Sequence, residues 1–544
     1  MTTVKDVLRS SFEFVNNLWW IPLTWILDVI YVAVQKWIIF PFFQPPFPPR
    51  DGLSKPYGKI AVIGAGLTGV SSAAHCIAHN FEVQIFEKNS RARGLGGIWS
   101  NVNKTSGLQI NSVMYRFHPA VFWKRSLPQA EEITAEIRKI WKNYNLESRT
   151  NFNTPVTSVK RAPAELFKDS SDPNRSRWII NGDESTYYDG VIVNIGTCGQ
   201  PSYPPWAKEV LESRSSSPGD GKHTQQNKPI IIHSSDLDDL NEDVVKDMKR
   251  IVVVGSGASG VEGIEWVMEH ISQSKSDSPP EVLMLARTDK WIIPRNVFID
   301  TLISLQPFGR EMPLSFLWEG FLKFFHYFGA EDLVPDDGKG LFQGTPIVND
   351  TFIDHVRTGR CKYLRGNPVG FSDDGKGIVF QERERGQFDK KKWDEKVIEA
   401  DLIVLATGFK KPDVDFFEDI ESVFPEDYSR PDLYLQNFST EDWSVLMTNA
   451  SYMNAIGTVG HIHIGMYARI LLTFLMDSGA RPAKKDMKLW VDVIRWIKRG
   501  AEGGALAFFT YAELTIWLVT FHLFRPDRLK WFFFIMVGWG VHAK

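Results

Sequence analysis

The spacing of apolar positions along the chain predicts two repeats of a strand, a turn and a helix. Apolar runs at residues 60–63 and 251–254 each have the length of a buried parallel strand. Each run leads at once into a glycine-rich turn and then into apolar residues at helical spacing. A further apolar strand follows each helix, at 81–86 and at 281–286. The pattern predicts an α/β fold with two Rossmann-like dinucleotide-binding domains.

Both glycine-rich turns have the spacing that a bound pyrophosphate requires. The first reads Gly64-Ala65-Gly66-Leu67-Thr68-Gly69, and the second reads Gly255-Ser256-Gly257-Ala258-Ser259-Gly260. The first glycine makes a tight turn, the second lets the backbone approach the pyrophosphate, and the third lets helix and strand pack closely. The pyrophosphate rests on free N–H groups at the helix N-terminus. We therefore predict that both turns bind dinucleotides.

The residue that ends the second strand of each repeat distinguishes the two cofactors. Glu87 follows the strand of the first repeat, where a carboxylate accepts hydrogen bonds from ribose hydroxyls. The matching position of the second repeat is Arg287, with Thr288 and Lys290 close behind. A guanidinium binds a 2′-phosphate with two parallel hydrogen bonds, whereas a carboxylate repels it. The first site is therefore predicted to bind FAD and the second NADPH, the alternative being that both residues are solvated strand ends.

Composition and charge exclude several classes of function. The chain of 544 residues is long enough for two or three domains, and 43% of its residues are hydrophobic. Its 62 basic and 65 acidic residues give a net charge of −3. This balance argues against nucleic acid as a partner. Cys76, Cys198 and Cys361 form no Cys-x-x-Cys pair, which excludes the dithiol of a disulfide reductase and favours a reducing compartment. The pair His461 and His463 has no further ligands nearby in the sequence, so no metal is expected.

Both ends of the chain are apolar and rich in aromatic residues, which predicts attachment to a membrane. Residues 18–43 are long enough to span a bilayer, but Asp28 is costly in hydrocarbon, so lying in the interface is an equal option. A proline-rich linker follows at 41–49. Residues 505–524 and 531–541 are the C-terminal counterpart. If so, deleting both ends is expected to leave flavin binding intact. The alternative is that both ends are helices packed on the soluble domain.

The remaining strands predict how the domains are connected. Residues 178–180 and 187–189 look like an antiparallel meander, and the strands at 190–197 and 402–409 end the two nucleotide units. The NADPH domain is thus inserted in the FAD domain. We predict an N-terminal membrane-associated segment and linker at 1–56, an FAD domain at 57–205 and 406–485, an NADPH domain at 206–405 and a C-terminal membrane-associated segment at 486–544. The apolar stretch 313–333 is an insertion, interpreted as a lid, a membrane contact or a buried helix pair.

In this order the motifs resemble those of the flavin-containing monooxygenases, the dimethylaniline N-oxygenase type, from about Lys59 to about Asp477. The remaining anchors are Gly96-Gly97-Ile98-Trp99, residues 108–111, Trp291-Ile292-Ile293-Pro294-Arg295 and Ala406-Thr407-Gly408-Phe409. The resemblance implies that Gly96, Gly97 and Trp99 line the FAD, and that Thr407 and Gly408 belong to the cofactor site. It also implies that Asn111 lies beside the flavin ring as the catalytic amide, the alternative being that Asn111 caps a turn.

The resemblance implies an NADPH-dependent enzyme that transfers one oxygen atom of O₂ to a small lipophilic substrate through a C4a-hydroperoxyflavin, with N- or S-oxygenation favoured. It further implies an endoplasmic reticulum membrane, with the catalytic domain facing the cytosol. One alternative is a Baeyer–Villiger oxygenase acting on ketones, with Arg295 as a candidate cation. Another is a membrane-tethered NADPH oxidase or redox sensor. The oligomeric state is left open, a dimer included.

One family motif is altered in this chain. The family fingerprint has Phe, then Gly two residues later, then His four residues later, and ends in an aromatic residue. Here the histidine is present as His233, but Asn227, Pro229 and Leu237 occupy the other three positions. Residues 116–119 also differ from the family sequence. The fingerprint therefore does not separate heteroatom oxygenation from ester formation.

Overall fold

The structure is a computed structural model that describes residues 21–208 apart from 114, 169, 171 and 174, then 211, 228–240, 248–272, 279–294, 315–341, 346–448, 463–498 and 506–544. The chain divides into two compact units. The first unit holds the described residues up to Ser100 together with Asn111–Gly199 and Lys411–Lys544. The second unit holds Asn101–Ile110 and Gln200–Lys410.

The strands are, in chain order, β1 (Lys59–Ile63), β2 (Glu82–Phe86), β3 (Thr150–Asn151), β4 (Val159–Arg161), β5 (Trp178–Ile180), β6 (Gly190–Val193), β7 (Ile230–His233), β8 (Arg250–Val254), β9 (Glu281–Ala286), β10 (Ile292–Ile293), β11 (Ile347–Val348), β12 (Cys361–Phe371), β13 (Gly377–Glu382), β14 (Asp394–Glu399), β15 (Leu402–Leu405) and β16 (Val445–Leu446).

The α-helices are α1 (Ile21–Val34), α2 (Phe40–Phe43), α3 (Leu67–Ala78), α4 (Arg91–Gly94), α5 (Ala130–Asn143), α6 (Ala258–Ser272), α7 (Ser315–Phe321), α8 (Phe352–Arg357), α9 (His463–Met476), α10 (Lys484–Lys498), α11 (Leu506–Leu523) and α12 (Phe532–Val537).

The first unit is built on a parallel five-stranded sheet in the order β16-β6-β1-β2-β3. Its central strand β1 is apolar along almost its whole length because both faces of the sheet are covered. Ile63 ends this strand opposite Phe86 and Val193, so the glycine-rich turn that follows lies at the carboxyl edge of the sheet. Helix α3 is buried over its full length. Beside the sheet, β4 pairs with β5 and Trp178 pairs with Tyr188, both antiparallel, which confirms the predicted meander.

The second unit repeats this plan and extends it. Its seven-stranded sheet has the order β14-β13-β12-β9-β8-β15-β7, with β12, β9, β8, β15 and β7 parallel. Strands β12, β13 and β14 continue as an antiparallel meander that the sequence did not predict. The pairing of β12 with β13 is irregular between Pro368 and Gly370, where proline cannot donate to the ladder.

A ten-residue segment of the chain leaves the first unit and packs in the second. Within this segment, the amide of Asn103 donates to the carbonyl of Ser234 at 2.9 Å. The hydroxyl of Ser106 donates to Glu262 of α6, also at 2.9 Å. The chain then returns to the first unit at Asn111.

The N-terminal apolar segment forms one continuous helix, because a π-helical turn at Gln35–Ile39 joins α1 to α2. Two of its polar side chains, Gln35 and Asp28, are hydrogen-bonded to the rest of the first unit. Gln35 is fully buried and exchanges hydrogen bonds of 2.8 Å with the backbone of Trp123 in both directions. Asp28 accepts a hydrogen bond from Ser126. The carboxylate that would be costly in a membrane is therefore satisfied by the protein.

The C-terminal segment also packs as part of the first unit, which differs from the expectation of a separable end. The amide of Ala543 donates to the carbonyl of Ala78 at 2.9 Å, and the carbonyl of Lys544 accepts from Ser54 at 2.6 Å. Arg469 of α9 is buried and donates to the carbonyls of Ile535 and Met536 at the end of α12. Removing this segment would uncover the end of α3.

The apolar insertion of the second unit is partly buried and partly exposed. Leu322, Tyr327 and Leu333 are buried in the core of this unit, in agreement with the buried-helix alternative. Phe316 and Phe324 are 62% and 64% exposed. The insertion therefore contributes both packing and an apolar surface.

Candidate functional site

The first glycine-rich turn has two glycines that the fold itself requires. Gly64 has a φ of +101°, and a Cβ there would lie 2.4 Å from the carbonyl oxygen of Asn194. A Cβ on Gly69 would lie 1.9 Å from the carbonyl oxygen of Gly64. Both distances are far below van der Waals contact, so β1, β6 and α3 pack this closely only around glycine.

Gly66 is different, because the space in front of it is bounded by a second glycine turn. A Cβ on Gly66 would meet the Cα of Gly97 at 3.5 Å, an ordinary contact. The amide of Gly96 donates to the carbonyl of Ala65 at 3.1 Å, which joins the two turns. Leu67 and Thr68 then open α3, whose N-terminal amides are the donors for a pyrophosphate. The structure thus brings the predicted residues of the first turn and Gly97 together.

Glu87 lies at the end of β2 and is fastened to the first glycine-rich turn. Its Oε2 accepts a hydrogen bond from the amide of Ala65 at 2.8 Å, and its Oε1 accepts one from Asn89 at 2.8 Å. The residue is 6% exposed. A carboxylate has about four lone-pair sites, so two backbone donors leave capacity for ribose hydroxyls. This geometry is inconsistent with a freely solvated strand end.

Trp99 and Asn111 lie on short turns of the first unit. The indole of Trp99 donates to the hydroxyl of Tyr115 at 2.6 Å, and their rings pack edge to face. Burial raises the pKa of Tyr115, so its hydroxyl stays protonated. Asn111 is 4% exposed, and its Oδ1 accepts from the amide of Val113 at 2.9 Å, the turn-capping geometry given above as the alternative. Tyr115 was not predicted from the sequence.

Asn194 is a second residue that sequence reasoning missed. It follows β6 directly behind Gly64 and Gly69, and it is 6% exposed. Among the described residues, no donor satisfies its buried Oδ1. An unsatisfied acceptor beside the helix N-terminus fits a site that is completed by a bound group. The signal in the sequence was its position at the end of the strand at 190–197.

The second glycine-rich turn repeats the geometry of the first. Gly255 has a φ of +118°, and a Cβ there would lie 2.4 Å from the carbonyl oxygen of Ala406. A Cβ on Gly260 would lie 2.0 Å from the carbonyl oxygen of Gly255. In contrast, a Cβ on Gly257 would meet no atom within 4 Å. Open space is left at the one position where the backbone must approach a pyrophosphate, immediately before Ala258 and Ser259 open α6.

The strand end predicted to recognise the 2′-phosphate lies next to this turn. Arg287 and Thr288 are exposed, and the Ser256 hydroxyl donates to the carbonyl of Thr288. A cavity of about 80 Å³ opens beside them, with Lys290 and Lys339 among its lining residues. The same lining contains Asp289 and Asp337, so it is the cations at this strand end, Arg287 and Lys290, and not the cavity as a whole, that fit a phosphate group.

Strand ends of the second unit are joined by hydrogen bonds that involve His233, Thr407 and Gly408. His233 accepts from the Ser235 amide with Nδ1, so its Nε2 donates to the Gly408 carbonyl at 3.1 Å. Burial lowers the pKa of His233, which keeps the imidazole neutral. The Thr407 hydroxyl donates to the carbonyl of Ser202. Thr407 and His233 therefore hold the chain in place in this structure, and the cofactor role of Thr407 and Gly408 stays a prediction.

The altered fingerprint position at Leu237 has a packing role. Leu237 is fully buried in the core of the second unit, where its Cδ1 lies 3.8 Å from the Cβ that an alanine at position 263 would carry. Asn227, at the fingerprint's phenylalanine position, and Arg295, the candidate cation, lie outside the described residues.

Comparison with known proteins finds one matching family model and relatives that are named monooxygenases. Residues 58–296 match the model of the pyridine nucleotide-disulphide oxidoreductase family. The chain is 26% identical to a Baeyer–Villiger monooxygenase of Pseudomonas aeruginosa over 48% of its length, a match that spans 44% of that enzyme. It is 22% identical to putative flavin-containing monooxygenase 2 of Arabidopsis thaliana, over 68% of this chain and 75% of that protein.

A solved structure supports the fold. The crystal structure of OTEMO in complex with FAD and NADP superposes with a TM-score of 0.52 at 15% identity, covering 81% of this chain and 90% of that one. The α/β fold with Rossmann-type domains is thereby confirmed. The resemblance to the flavin-containing monooxygenases is confirmed as well, since the relatives found are named flavin-containing monooxygenases and a Baeyer–Villiger monooxygenase.

Proposed function

We propose that the protein is an FAD- and NADPH-dependent monooxygenase that oxygenates nitrogen or sulfur in a small lipophilic substrate. FAD and NADPH are its two cofactors. The observation that carries the proposal is the pairing of two complete glycine-rich turns with different strand ends. Glu87 is bound to the first turn, and Arg287 follows the strand beside the second.

The first unit binds FAD. Backbone amides of Leu67 and Thr68 at the start of α3 hold the pyrophosphate, and Glu87 accepts hydrogen bonds from the ribose. Asn194 supplies a buried acceptor beside the same turn. Gly97 and Trp99 line the bound cofactor, and the amide nitrogen of Asn111 is the donor toward the flavin ring.

The second unit binds NADPH. The space in front of Gly257 admits the pyrophosphate to the amides of Ala258 and Ser259. Arg287 binds the 2′-phosphate, with Lys290 as a second cation at the cavity. When bound, FAD supplies the redox chemistry: it accepts a hydride from NADPH and activates O₂. The protein residues bind, orient and exclude water, so the reaction requires no side-chain nucleophile.

N- or S-oxygenation is favoured because a neutral amine or thioether is itself the nucleophile. A Baeyer–Villiger reaction is the second candidate, supported by the Pseudomonas relative, and it needs a cation placed beside the reacting oxygen. An oxidase or redox sensor is the third candidate, supported by the altered fingerprint around His233. That support is weakened by Leu237, which fills a core position.

The test compares a tertiary amine and a thioether with a cyclic ketone in the presence of NADPH and air. We expect N-oxide and S-oxide, with little lactone. Lactone without N- or S-oxide would reverse the order of the first two candidates. NADPH consumption that yields only hydrogen peroxide with all three compounds would favour the third.

We further propose that the protein lies on a membrane surface through both ends of the chain. Residues 25–43 have the length and a mean hydropathy of 1.7 that would suit a membrane span, and only 6% of them are buried. Gln35 and Asp28 of this helix are already hydrogen-bonded to the rest of the first unit. A helix that is hydrogen-bonded along one side to a folded unit lies in the membrane plane rather than across it.

The C-terminal segment adds to the same surface. The indole of Trp539 donates to the carbonyl of Phe42 at 2.9 Å, and its ring stacks on Phe533. Trp37 is 76% exposed and Phe524 is 75% exposed. The family resemblance favours the endoplasmic reticulum, with both nucleotide units in the cytosol.

Single substitutions at exposed residues test this surface without removing a packed segment. Trp37→Ser and Phe524→Ser are expected to move the protein from the membrane fraction toward the soluble fraction while FAD stays bound. Leu166→Ser, at a 59% exposed apolar residue outside both ends, is the matched control and should change nothing. Unchanged partitioning of a variant that carries both Trp37→Ser and Phe524→Ser would rule out this surface.

A further inference from the structure

We infer that Tyr363 and Asp289 are positioning residues that set the preference for NADPH over NADH, because they fix the loop after β9 beside the second glycine-rich turn. The inference rests on the proposed function, since it takes NADPH as the reductant. Neither residue belongs to a dinucleotide-binding motif, and Tyr363 lies 76 positions after Arg287 in the chain.

The loop after β9 is joined to the second glycine-rich turn through Ser256. This serine is 8% exposed, and its hydroxyl donates to the carbonyl of Thr288. The hydroxyl of Tyr363, from the neighbouring strand β12, donates to Asp289, the next residue of the loop after Thr288. The turn that binds the pyrophosphate and the loop that recognises the 2′-phosphate are therefore held by one set of contacts.

Asp289 fixes the other side of the loop. Its side chain is 1% exposed, and its Oδ1 accepts a hydrogen bond from the Tyr363 hydroxyl at 2.8 Å. Its Oδ2 accepts one from Nε of Arg365 at 2.9 Å. Burial, followed by the charge of Asp289, raises the pKa of Tyr363 well above its usual range. The phenol therefore remains a donor at every working pH.

A second buried ion pair completes the network. Arg383 donates two hydrogen bonds to Asp336, at 2.6 and 3.0 Å, and the amide of Gly386 donates to the same carboxylate at 2.8 Å. The Asp336 carboxylate also lies 3.9 Å from Nε of Arg365. The four side chains carry two positive and two negative charges and are each less than a tenth exposed. Moving the loop would leave a buried charge without its partner, which is strongly unfavourable.

A fixed loop matters for NADPH and much less for NADH. Arg287 and Lys290 lie on either side of Asp289 in the sequence. The position of Asp289 therefore determines the backbone positions from which both cationic side chains extend. Bidentate binding of a phosphate by a guanidinium depends on geometry, and a displacement of about 1 Å weakens such sites strongly. NADH has no 2′-phosphate and does not use these contacts. Loosening the loop should therefore reduce NADPH use selectively.

The experiment compares NADPH and NADH as reductants of the complete, FAD-bound protein. Tyr363→Phe removes only the hydroxyl and keeps the ring that packs edge to face on Phe352. We expect the KM for NADPH to rise about tenfold, in line with the loss of one hydrogen bond to a charged group, while kcat and the kcat/KM for NADH stay unchanged. Arg365→Lys, which keeps the charge but removes the Nε donor to Asp289, should give the same selective loss and serves if Tyr363→Phe does not fold.

Lys362→Gln is the matched control. Lys362 lies next to Tyr363 on β12, but its ammonium pairs with Glu281 at the opposite end of β9. The pair is exposed, so its loss should change neither the coenzyme preference nor the stability by much.

A double variant separates positioning from a general structural role. In the Arg287→Ala background, Tyr363→Phe should cause a smaller loss of NADPH preference than in the wild type, because one of the two cations that it positions is already gone. Equal losses with both coenzymes, an unchanged preference in a folded Tyr363→Phe protein, or additive losses in the double variant would each overturn the inference. A wild-type protein without NADPH preference would instead contradict the proposed coenzyme, and it is recognised before any variant is made.

Discussion

Gly257→Ala should weaken NADPH binding without damaging the fold, and the structure gives the size of both effects. No atom lies within 4 Å of the Cβ that this change adds, so the protein accommodates it. The same Cβ occupies the space through which the pyrophosphate reaches the backbone amides. Losing a charge-assisted hydrogen bond costs about 1.5–3 kcal/mol, which corresponds to roughly a 10- to 100-fold higher Kd.

Two other glycines of the same unit act as controls. Gly260→Ala would place a Cβ 2.0 Å from the carbonyl oxygen of Gly255, and α6 would have to move away from β8. We expect a loss of about 3 kcal/mol or more in the free energy of unfolding. Gly263→Ala, within α6, meets side chains only at 3.8 Å and beyond, so it should stabilise the helix by up to about 1 kcal/mol.

Anaerobic reduction of the bound flavin at increasing NADPH concentrations gives the Kd, and thermal unfolding gives the stability. We expect a weak-binding, stable Gly257→Ala protein, an unstable Gly260→Ala protein and a Gly263→Ala protein that binds NADPH normally. A folded Gly257→Ala protein whose Kd stays within twofold of the wild type would refute the assignment of this turn to NADPH.

Two further predictions concern coenzyme choice and pH. Arg287→Ala should narrow the ratio of kcat/KM for NADPH to that for NADH by one to two orders of magnitude, in line with about 1.5–3 kcal/mol for a charge-assisted contact; an unchanged ratio would point to Lys290 instead. Burial lowers the pKa of His79 and of His118 to about 3, so below pH 6.5 the unfolded chain binds protons that the native protein does not. The free energy of unfolding should therefore fall as the pH drops from 6.5 toward 3, by about 1.4 kcal/mol per histidine and pH unit. Urea unfolding at pH 7, 6 and 5 measures this slope. A urea midpoint that does not change with pH would contradict the buried, neutral state of both rings.

The parallel strands were predictable because a strand buried on both faces is a continuous apolar run. The run at 251–254 is followed directly by Gly255, the glycine that the tight turn requires. The position of β8 could therefore be predicted from the sequence. Strand β12 was missed for the opposite reason. Its residues include Lys362, Arg365 and Pro368, a composition that is typical of loops, and the strand is stabilised by pairing with β9 and β13.

The cofactor turns were predictable, but the groups that hold them were not. Asp289 and Arg383 are charged, and from the sequence alone they read as solvated surface. They are buried because each meets a partner contributed by a distant part of the chain, such as Asp336 for Arg383. The packing of the C-terminal segment on the end of α3 was only one of two alternatives for a related reason, since an apolar sequence does not show whether lipid or protein covers it.

We propose that the electrons of NADPH are used to place one atom of O₂ on the substrate. This reaction is tested by supplying NADPH, ¹⁸O₂ and a thioether to the purified protein and measuring the labelled sulfoxide formed per NADPH oxidised. We expect a ratio near one, with a single ¹⁸O atom in the product. NADPH oxidation that yields hydrogen peroxide and no labelled product, with a tertiary amine and a cyclic ketone as well, would contradict it.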